Sequence, residues 1–373
     1  MPIYMDRHDV SAEVTAENVA HLHQEDLKVQ DEFNCRGLTY WFDDQRKTAF
    51  CLVEAPNADS VHRMHAHAHG EVPHSIIEVD ANLVESFLGR IEDPKGLKGS
   101  ELKVINEPGF RTLFAAKLFF DHLDQQQPSQ LSSVAQEYKR QIGRLVASHS
   151  GNLVNQDSYE ILASFANVKD AVACAESALD TLGNEYSYLK CAIGLDAGNP
   201  VSNSKFIFEE TIKTSKRLAN LRSNISVSAT VHKMYHDELA DLTFNKQAFK
   251  LFSAAELVFL NQLSDHLDAN YGEPELRIER IARSLGFSKS QFYRSMVGLS
   301  GDSPNLYLNK FRLDKSLELL KGGMNTTSEA AFLCGFSSPS YFSRRFAKRY
   351  GVPPTEYKGG RCLDIRLLEE GLV

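Results

Sequence analysis

The tripeptide GFS occurs twice, at 286–288 and 335–337, each time after a run of small residues and before a run carrying aromatics and arginine. In IERIARSLGFSKSQFYRSMVG a helix can end at Gly286, because glycine accepts the left-handed backbone that a tight turn needs. Ser288, with Gln291 three residues on, then makes a capping box for the next helix. In SEAAFLCGFSSPSYFSRRFAKRYG, Gly335 turns, Ser337 caps, and Pro339 sits in the first helical turn, where its missing N–H does no harm. A chain that spells helix, tight turn and capped helix twice, joined by the helix LYLNKFRLDKSLELLKGG, is committed to an all-helical unit at this end.

Helical phase then sorts the side chains. On the first unit Phe292 faces the core, leaving Ser290, Gln291, Tyr293 and Arg294 outside; on the second Phe342 and Phe346 anchor, leaving Ser340, Ser343 and Arg344. Arginine matches the two major-groove acceptors of guanine and glutamine matches adenine, so these outward residues are candidate base readers. Lys289, Arg345, Lys348 and Arg349 are candidates for phosphate contact, which positions a protein without reading sequence. Residues 255–360 hold 14 Lys and Arg against 11 Asp and Glu, whereas the rest of the chain holds 27 against 38. That asymmetry permits nucleic-acid contact by this end alone. The runs YLNKFRLDKSLELL, GFSKSQFYR and AAFLCGFSSPSYFSRRFAKRYGVPPTEYK resemble the AraC/XylS family of bacterial transcription regulators. The resemblance implies a seven-helix domain over 255–360, whose reading helices enter successive major-groove segments of double-stranded DNA about 34 Å apart. It also implies RNA polymerase as a partner. AAFLCGF departs from the family's isoleucine and alanine ahead of a polar turn, so altered packing is expected there.

At 373 residues the chain is too long for one ordinary core, and two or three domains are expected. Hydrophobic content of 42% describes a soluble globular protein, and no apolar run reaches the roughly 18 residues of a membrane span. The segment MPIYMDRHDV lacks a basic region followed by an apolar one, and the six cysteines show no paired spacing. The expected setting is the cytoplasm, with reduced thiols and no membrane partner.

Eight of the 13 histidines precede residue 75, five of them in VHRMHAHAHGEVPHSIIEV. The first 80 residues read as a strand (3–8), a helix capped by Thr15, the strands LTYWF and TAFCLVE around a DDQRK loop, a helix from Asn57 to Gly70, and the strand SIIEVD. Strand, helix, strand, strand, helix, strand is the ferredoxin-like order. His65 and His69 lie one helical turn apart with His62 three residues earlier, a spacing that can chelate a transition-metal ion if another element adds ligands. His8, His21 and His23 are available for that, as are the thiols of Cys35 and Cys51. A proton-sensing role for the histidines stays open. MDRH, HQEDL, TYWFDD, AFCLVEAP and MHAHAHGEVPHSIIEV resemble a small ferredoxin-like family of nickel-binding proteins. The resemblance implies a dimer-forming metal module with His8, His65 and His69 as ligands by motif position, and His23 and Cys51 as further ones. Nickel is the favoured ion, with zinc or copper as alternatives.

Residues 94–109 are rich in Gly, Pro and charge and read as a linker. Beyond them, GNLVNQDSYEILASFANVKDAVACAESAL, LKCAIGLDAGNPV and FEETIKTSKRLANL resemble the class III nucleotide cyclase domain. Catalysis there needs two aspartates holding metal ions. Ala116 and Tyr159 stand in their places, Asp157 lies nearby, and Lys213 replaces an asparagine although Arg217 is kept. No catalytic magnesium and no cyclase activity are expected. The whole reads as an α+β multidomain chain: a ferredoxin-like metal-binding sensor (1–93), a linker (94–109), a degenerate cyclase-like domain (110–252), a double helix-turn-helix domain (255–360) and a tail (361–373). The expected function is a transcription regulator, not an enzyme, acting as a homodimer through its first two domains. The alternative places the sensor in the middle domain, binding a nucleotide or another small molecule.

Overall fold

The computed structural model describes residues 1–94, 102–120, 128–156, 160–182, 189–221, 223–238, 248–321 and 326–355. Its first sheet comes from β1 (Ile3–Asp9), β2 (Arg36–Asp43), β3 (Thr48–Glu54) and β4 (Ser75–Val79), with α1 (Ala16–Val29) and α2 (Ala58–Ala68) in the two crossovers. The strand order is β2-β3-β1-β4, all antiparallel, as the ferredoxin-like reading expects. Thr15 caps α1 through a box with Asn18, and Asn57 caps α2 by accepting from the Ser60 N–H at 2.9 Å. The sequence reading missed α3 (Ala81–Leu88), although Asp80 caps it and Gly89 ends it.

The same arrangement is built a second time. Strands β5 (Arg111–Phe120), β6 (Asn152–Gln156), β7 (Glu160–Phe165) and β8 (Leu189–Gly198) alternate with α4 (Pro128–Ser148) and α5 (Val168–Leu182). They pair in the order β6-β7-β5-β8, again antiparallel. This second unit is extended by α6 (Glu209–Asn220), β9 (Ile225–Ser228), α7 (Ala229–Glu238) and β10 (Phe249–Phe252), with β9 and β10 joining in parallel.

The two sheets share a core. Alternate residues of a strand face opposite sides. Met5, Trp41, Phe50, Leu52 and Ile77 therefore leave the α1/α2 side and pack with Leu113, Ala115 and Leu162 of the second sheet, around Val84, Phe87 and Leu88 of α3. Burial on both faces explains why β2 and β3 read as nearly continuous apolar runs. This face of the first sheet is thus occupied by the same chain, so a homodimer would have to use other surfaces. Of the expected linker, residues 95–101 lie outside the described residues, and residues 102–109 differ from the expectation by packing along β2. Tyr40 Oη accepts from the Ile105 N–H at 2.8 Å and donates to the Lys103 carbonyl at 2.9 Å, while Glu107 O accepts from the Phe42 N–H at 2.9 Å. Ile105 is apolar and buried, which a free linker would not allow. Buried Arg111 donates to the Phe87 and Leu88 carbonyls, closing the C-terminal end of α3 onto β5.

The C-terminal part is helical: α8 (Ala254–Asn270), α9 (Ile278–Ser284), α10 (Lys289–Ser300), α11 (Pro304–Lys321), α12 (Thr327–Leu333) and α13 (Pro339–Tyr350). Gly286 and Gly335 turn with φ of 76° and 75°, as expected. Ser288 and Gln291 form the capping box of α10. The second cap is Ser338, not Ser337: Pro339 is the first helical residue, so the residue before it takes the cap and accepts from the Tyr341 N–H at 3.3 Å. At AAFLCGF, Ala330, Ala331 and Cys334 fill the core while Phe332 and Leu333 stay 52% and 50% exposed. Among the described residues, no helix is long and apolar enough to cross a membrane.

Candidate metal centre and nucleic-acid interface

On β1, Tyr4, Asp6 and His8 point toward the helices, and Cys51 of β3 shares their side of the sheet. Above them, α2 lowers His65 between two carboxylates. Its Nε2 lies 2.9 Å from Asp6 Oδ2 and its Nδ1 3.0 Å from Asp26 Oδ1, with both ring and carboxylates buried. One turn on, His69 Nε2 is 3.2 Å from the same Asp26 oxygen and 3.4 Å from His65 Nδ1. His8 Nε2 stands 3.3 Å from Asp6 Oδ1, and the Cys51 N–H donates to that oxygen at 3.0 Å. Two ligand sets result, Asp6–His8–Cys51–His65 and Asp26–His65–His69, each with its donor atoms within 4.8 Å of one another. They open into a cavity of about 190 Å³ reaching Val14, Leu22, Val72 and His74.

The electrostatics follow from this placement. Burial alone would push His65 down, but Asp6 and Asp26 outweigh it and raise the imidazole to about 10. Burial likewise works against the charged form of Asp6, and His8 and His65 overcome it to hold the carboxyl well below its ordinary range. Asp26 is also lowered, against its burial, by hydrogen bonds from His65 and His69. Burial, with Asp6 and Asp26 nearby, pushes the Cys51 thiol well up. Without an ion the cluster is therefore a protonated imidazole between two carboxylates.

The residues fit a transition-metal ion. Imidazole, carboxylate and thiol donors converge, and the near contact of His8 Nε2 is its 3.3 Å approach to Asp6 Oδ1, itself a member of the same set. Of the five expected ligands, His8, Cys51, His65 and His69 come together. His23 lines the cavity, but its Nε2 is 3.9 Å from Asp93 and its ring lies against Tyr40; burial pushes its pKa down. His21, His62 and His67 are exposed, Cys35 packs in the apolar core, and His74 Nδ1 accepts from the Asp9 N–H at 3.2 Å. Asp6 and Asp26 escaped the sequence reading. The signal was in MDRH, where Asp6 shares a strand face with His8, and in HQED, where Asp26 follows His23 by three residues on a helix.

At the helical end, Ser290, Tyr293 and Arg294 are exposed on α10, Ser340 and Arg344 on α13, and Ser343 is half-buried. Phe292, Phe342 and Phe346 are buried beneath them, as expected. Gln291 is exposed but spends its Oε1 on the cap, accepting from Ser288 N and Oγ at 3.1 and 2.7 Å, so it cannot also offer adenine a paired donor and acceptor. Arg349 is a correction: its side chain is 10% exposed and its Nη2 pairs with Asp314 at 2.6 Å, which ties it to α11 instead of a phosphate. Lys289 Nζ pairs with Glu279 at 2.6 Å on the surface; Lys348 is exposed and Arg345 half-buried.

In the middle domain Ala116 is buried in the apolar core under α4 and α5 and offers no ligand atom. Lys213 pairs with Glu209 and Glu210, and Arg217 is engaged by Asn261 and Asp265 of α8. Asp157 and Tyr159 lie outside the described residues.

Residues 4–79 match the family model described as nickel responsive protein SCO4226-like, and residues 281–360 match that of a helix-turn-helix domain. The probable transcriptional regulator LumQ of Photobacterium leiognathi is 31% identical over 30% of this chain and 46% of its own length. The transcriptional activator RhaS of Salmonella schwarzengrund is 31% identical over 29% of this chain and 38% of its own. The chain thus spans less than half the length of these curated relatives. The solved structure of SCO4226 from Streptomyces coelicolor A3(2) is 34% identical, covering 21% of this chain and 94% of that one, with a TM-score of 0.20. The chain carries an AraC-type helix-turn-helix domain at its C-terminal end and a domain of the SCO4226-like nickel-responsive family at its N-terminal end.

Proposed function

We propose that the protein is a sequence-specific transcription regulator of the AraC/XylS type whose affinity for double-stranded DNA is set by a transition-metal ion, nickel in preference to zinc or copper, held in the N-terminal unit. The observation that carries this reading is the joining, in one chain, of a buried donor set with two helix-turn-helix units whose reading faces are open. Asp6, His8, Cys51 and His65 would hold the ion, with Asp26 and His69 on the other edge of the His65 ring. Bound there, the ion would supply positive charge beside Asp6 in place of the proton on His65 Nε2, while His65 Nδ1 keeps facing Asp26. Regulation follows only if it favours one arrangement of the reading domain over another. Action as a homodimer with RNA polymerase as partner, and cytoplasmic location, belong to the same reading.

Arg344 and Lys348 test the DNA-reading half. Arg344→Ala is expected to cost about 1–3 kcal/mol at one base position, whereas Lys348→Ala weakens binding on all sequences and lowers the salt slope by about 1. Titrations on a selected duplex, its single-base variants and random DNA separate the two; equal losses everywhere from both changes contradict the assignment.

A second reading puts effector binding in the middle domain, whose sequence resembles a degenerate cyclase. A polar cleft of about 350 Å³ supports it, lying where Lys117 and Arg217 meet Asp302, Lys310, Asp314 and Arg349 of the helical domain. Catalysis is not part of that reading, because Ala116 cannot ligate a metal.

A further inference from the structure

Helix α6 belongs to two cores at once. Ala219 and Ile212, with Phe208 just ahead of them, pack in the core shared with Met5, Trp41 and Phe87 of the N-terminal unit. Leu218 and Leu221 lie instead with Leu260 and Leu263 of α8 and with Phe292 and Met296 of α10. Polar contacts fix the second attachment. Arg217 Nη1 donates to Asn261 Oδ1 at 2.9 Å, its Nη2 pairs with Asp265, and Asn261 Nδ2 donates to Thr214 Oγ1 at 3.2 Å.

Nor can α6 slide on the sheet beneath it. It lies so close to β8 that a Cβ at Gly194 would overlap the Ser215 carbonyl oxygen and stand 2.7 Å from Ala219 N. A helix seated on bare strand backbone moves with its sheet. The edge strand β10 of the same sheet holds the same target, since Lys250 Nζ donates to the Gly298 and Leu299 carbonyls at the end of α10, at 3.0 and 2.7 Å. The first reading helix is thereby anchored at its C-terminal end to the body that α6 joins to the N-terminal sheet.

We infer that α6 sets how α10 is presented to DNA, with Arg217 and Asn261 as positioning residues, and that it carries the state of the N-terminal unit to the reading domain. The inference rests on the regulator reading above. Packed interfaces of this kind change between discrete arrangements instead of deforming continuously, and coupling between two sites typically alters affinity by about 5–150-fold.

The test compares full-length protein with and without bound nickel(II) for binding to a duplex that the wild type selects from random sequence. Arg217→Ala and Asn261→Ala are expected to bring the ratio of the two affinities to within about twofold of one, while nickel stoichiometry by elemental analysis stays that of the wild type. Lys213→Ala, on the same helix and, among the described residues, paired with Glu209 and Glu210 of that helix, keeps the wild-type ratio. Should Arg217→Ala fail to fold, Asn261→Ala decides alone. A wild-type ratio that survives both changes overturns the relay and leaves the regulator reading standing; a wild-type ratio of one removes that reading and the relay with it.

Discussion

The N-terminal unit and the first part of the middle domain are the same fold built with different interiors. Both are strand-helix-strand-strand-helix-strand units with equivalent strand orders, β2-β3-β1-β4 and β6-β7-β5-β8. Their central strands turn corresponding positions toward the helices: Tyr4, Asp6 and His8 on β1, Phe114, Ala116 and Leu118 on β5. One unit buries a charged ligand set between sheet and helices; among the described residues the other buries a hydrophobic cluster there, with the Tyr138 hydroxyl and the Cys174 and Cys191 thiols inside it. The topology is indifferent to which, so function lies in the side chains placed on it. Even buried aspartates behave oppositely. Asp6 meets His8 and His65, and its carboxyl is lowered; Asp196 on β8, among the described residues, meets the Ser228 hydroxyl and the Ala197 N–H, and burial raises it to about 6.

The largest expected effect comes from exchanging interiors. Ala116→Asp places an unpaired carboxyl in an apolar core and should destabilise by about 4–5 kcal/mol or more, without creating a metal site. The converse change, Asp6→Ala, leaves the buried His65 with one carboxylate partner and should cost about 3–5 kcal/mol, with loss of bound metal. Urea unfolding with metal analysis checks both; a neutral Asp6→Ala would break the comparison.

Smaller, and confined to the middle domain, is the pH dependence of Asp196. Its folded pKa is about 6 against an ordinary 3.8, so between those values the folded state holds a proton that the unfolded state has released. Stability should therefore fall as pH rises through that window, by about 3 kcal/mol in all, and Asp196→Asn should abolish this slope. Unfolding midpoints of both proteins from pH 4 to pH 7 decide, and parallel profiles would contradict the contrast with Asp6. The smallest effect is expected from Cys51→Ser, which keeps size and burial but exchanges a soft donor for a hard one. Nickel affinity should drop by at least the roughly 10–100-fold that loss of a supporting partner typically causes, with little change in unfolding midpoint.

The parts of the molecule that follow local rules were readable from the chain. The strand-like apolar runs LTYWF and TAFCLVE, the Thr15 and Asn57 caps and the two GFS turns placed the elements nearly as they stand. What was not readable depends on long-range partners. The role of Asp6 appears only when α2 brings His65 over β1, 59 residues away in sequence. Arg349 looked like a phosphate ligand because nothing local shows Asp314 reaching it from α11. Residues 102–109 looked like a linker because the Tyr40 hydroxyl that binds them lies on β2. Helix α3 was legible in retrospect, between Asp80 and Gly89.

The central claim is that the ligand set in the first unit controls the helices at the other end. It is tested most directly by elemental analysis of untagged full-length protein, followed by DNA titration with and without nickel(II), for the wild type and for the double variant His65→Ala with His69→Ala. The account predicts bound transition metal and a DNA affinity that changes at least about fivefold with nickel in the wild type, and neither in the variant. A variant that binds DNA and responds to nickel as the wild type does would contradict it.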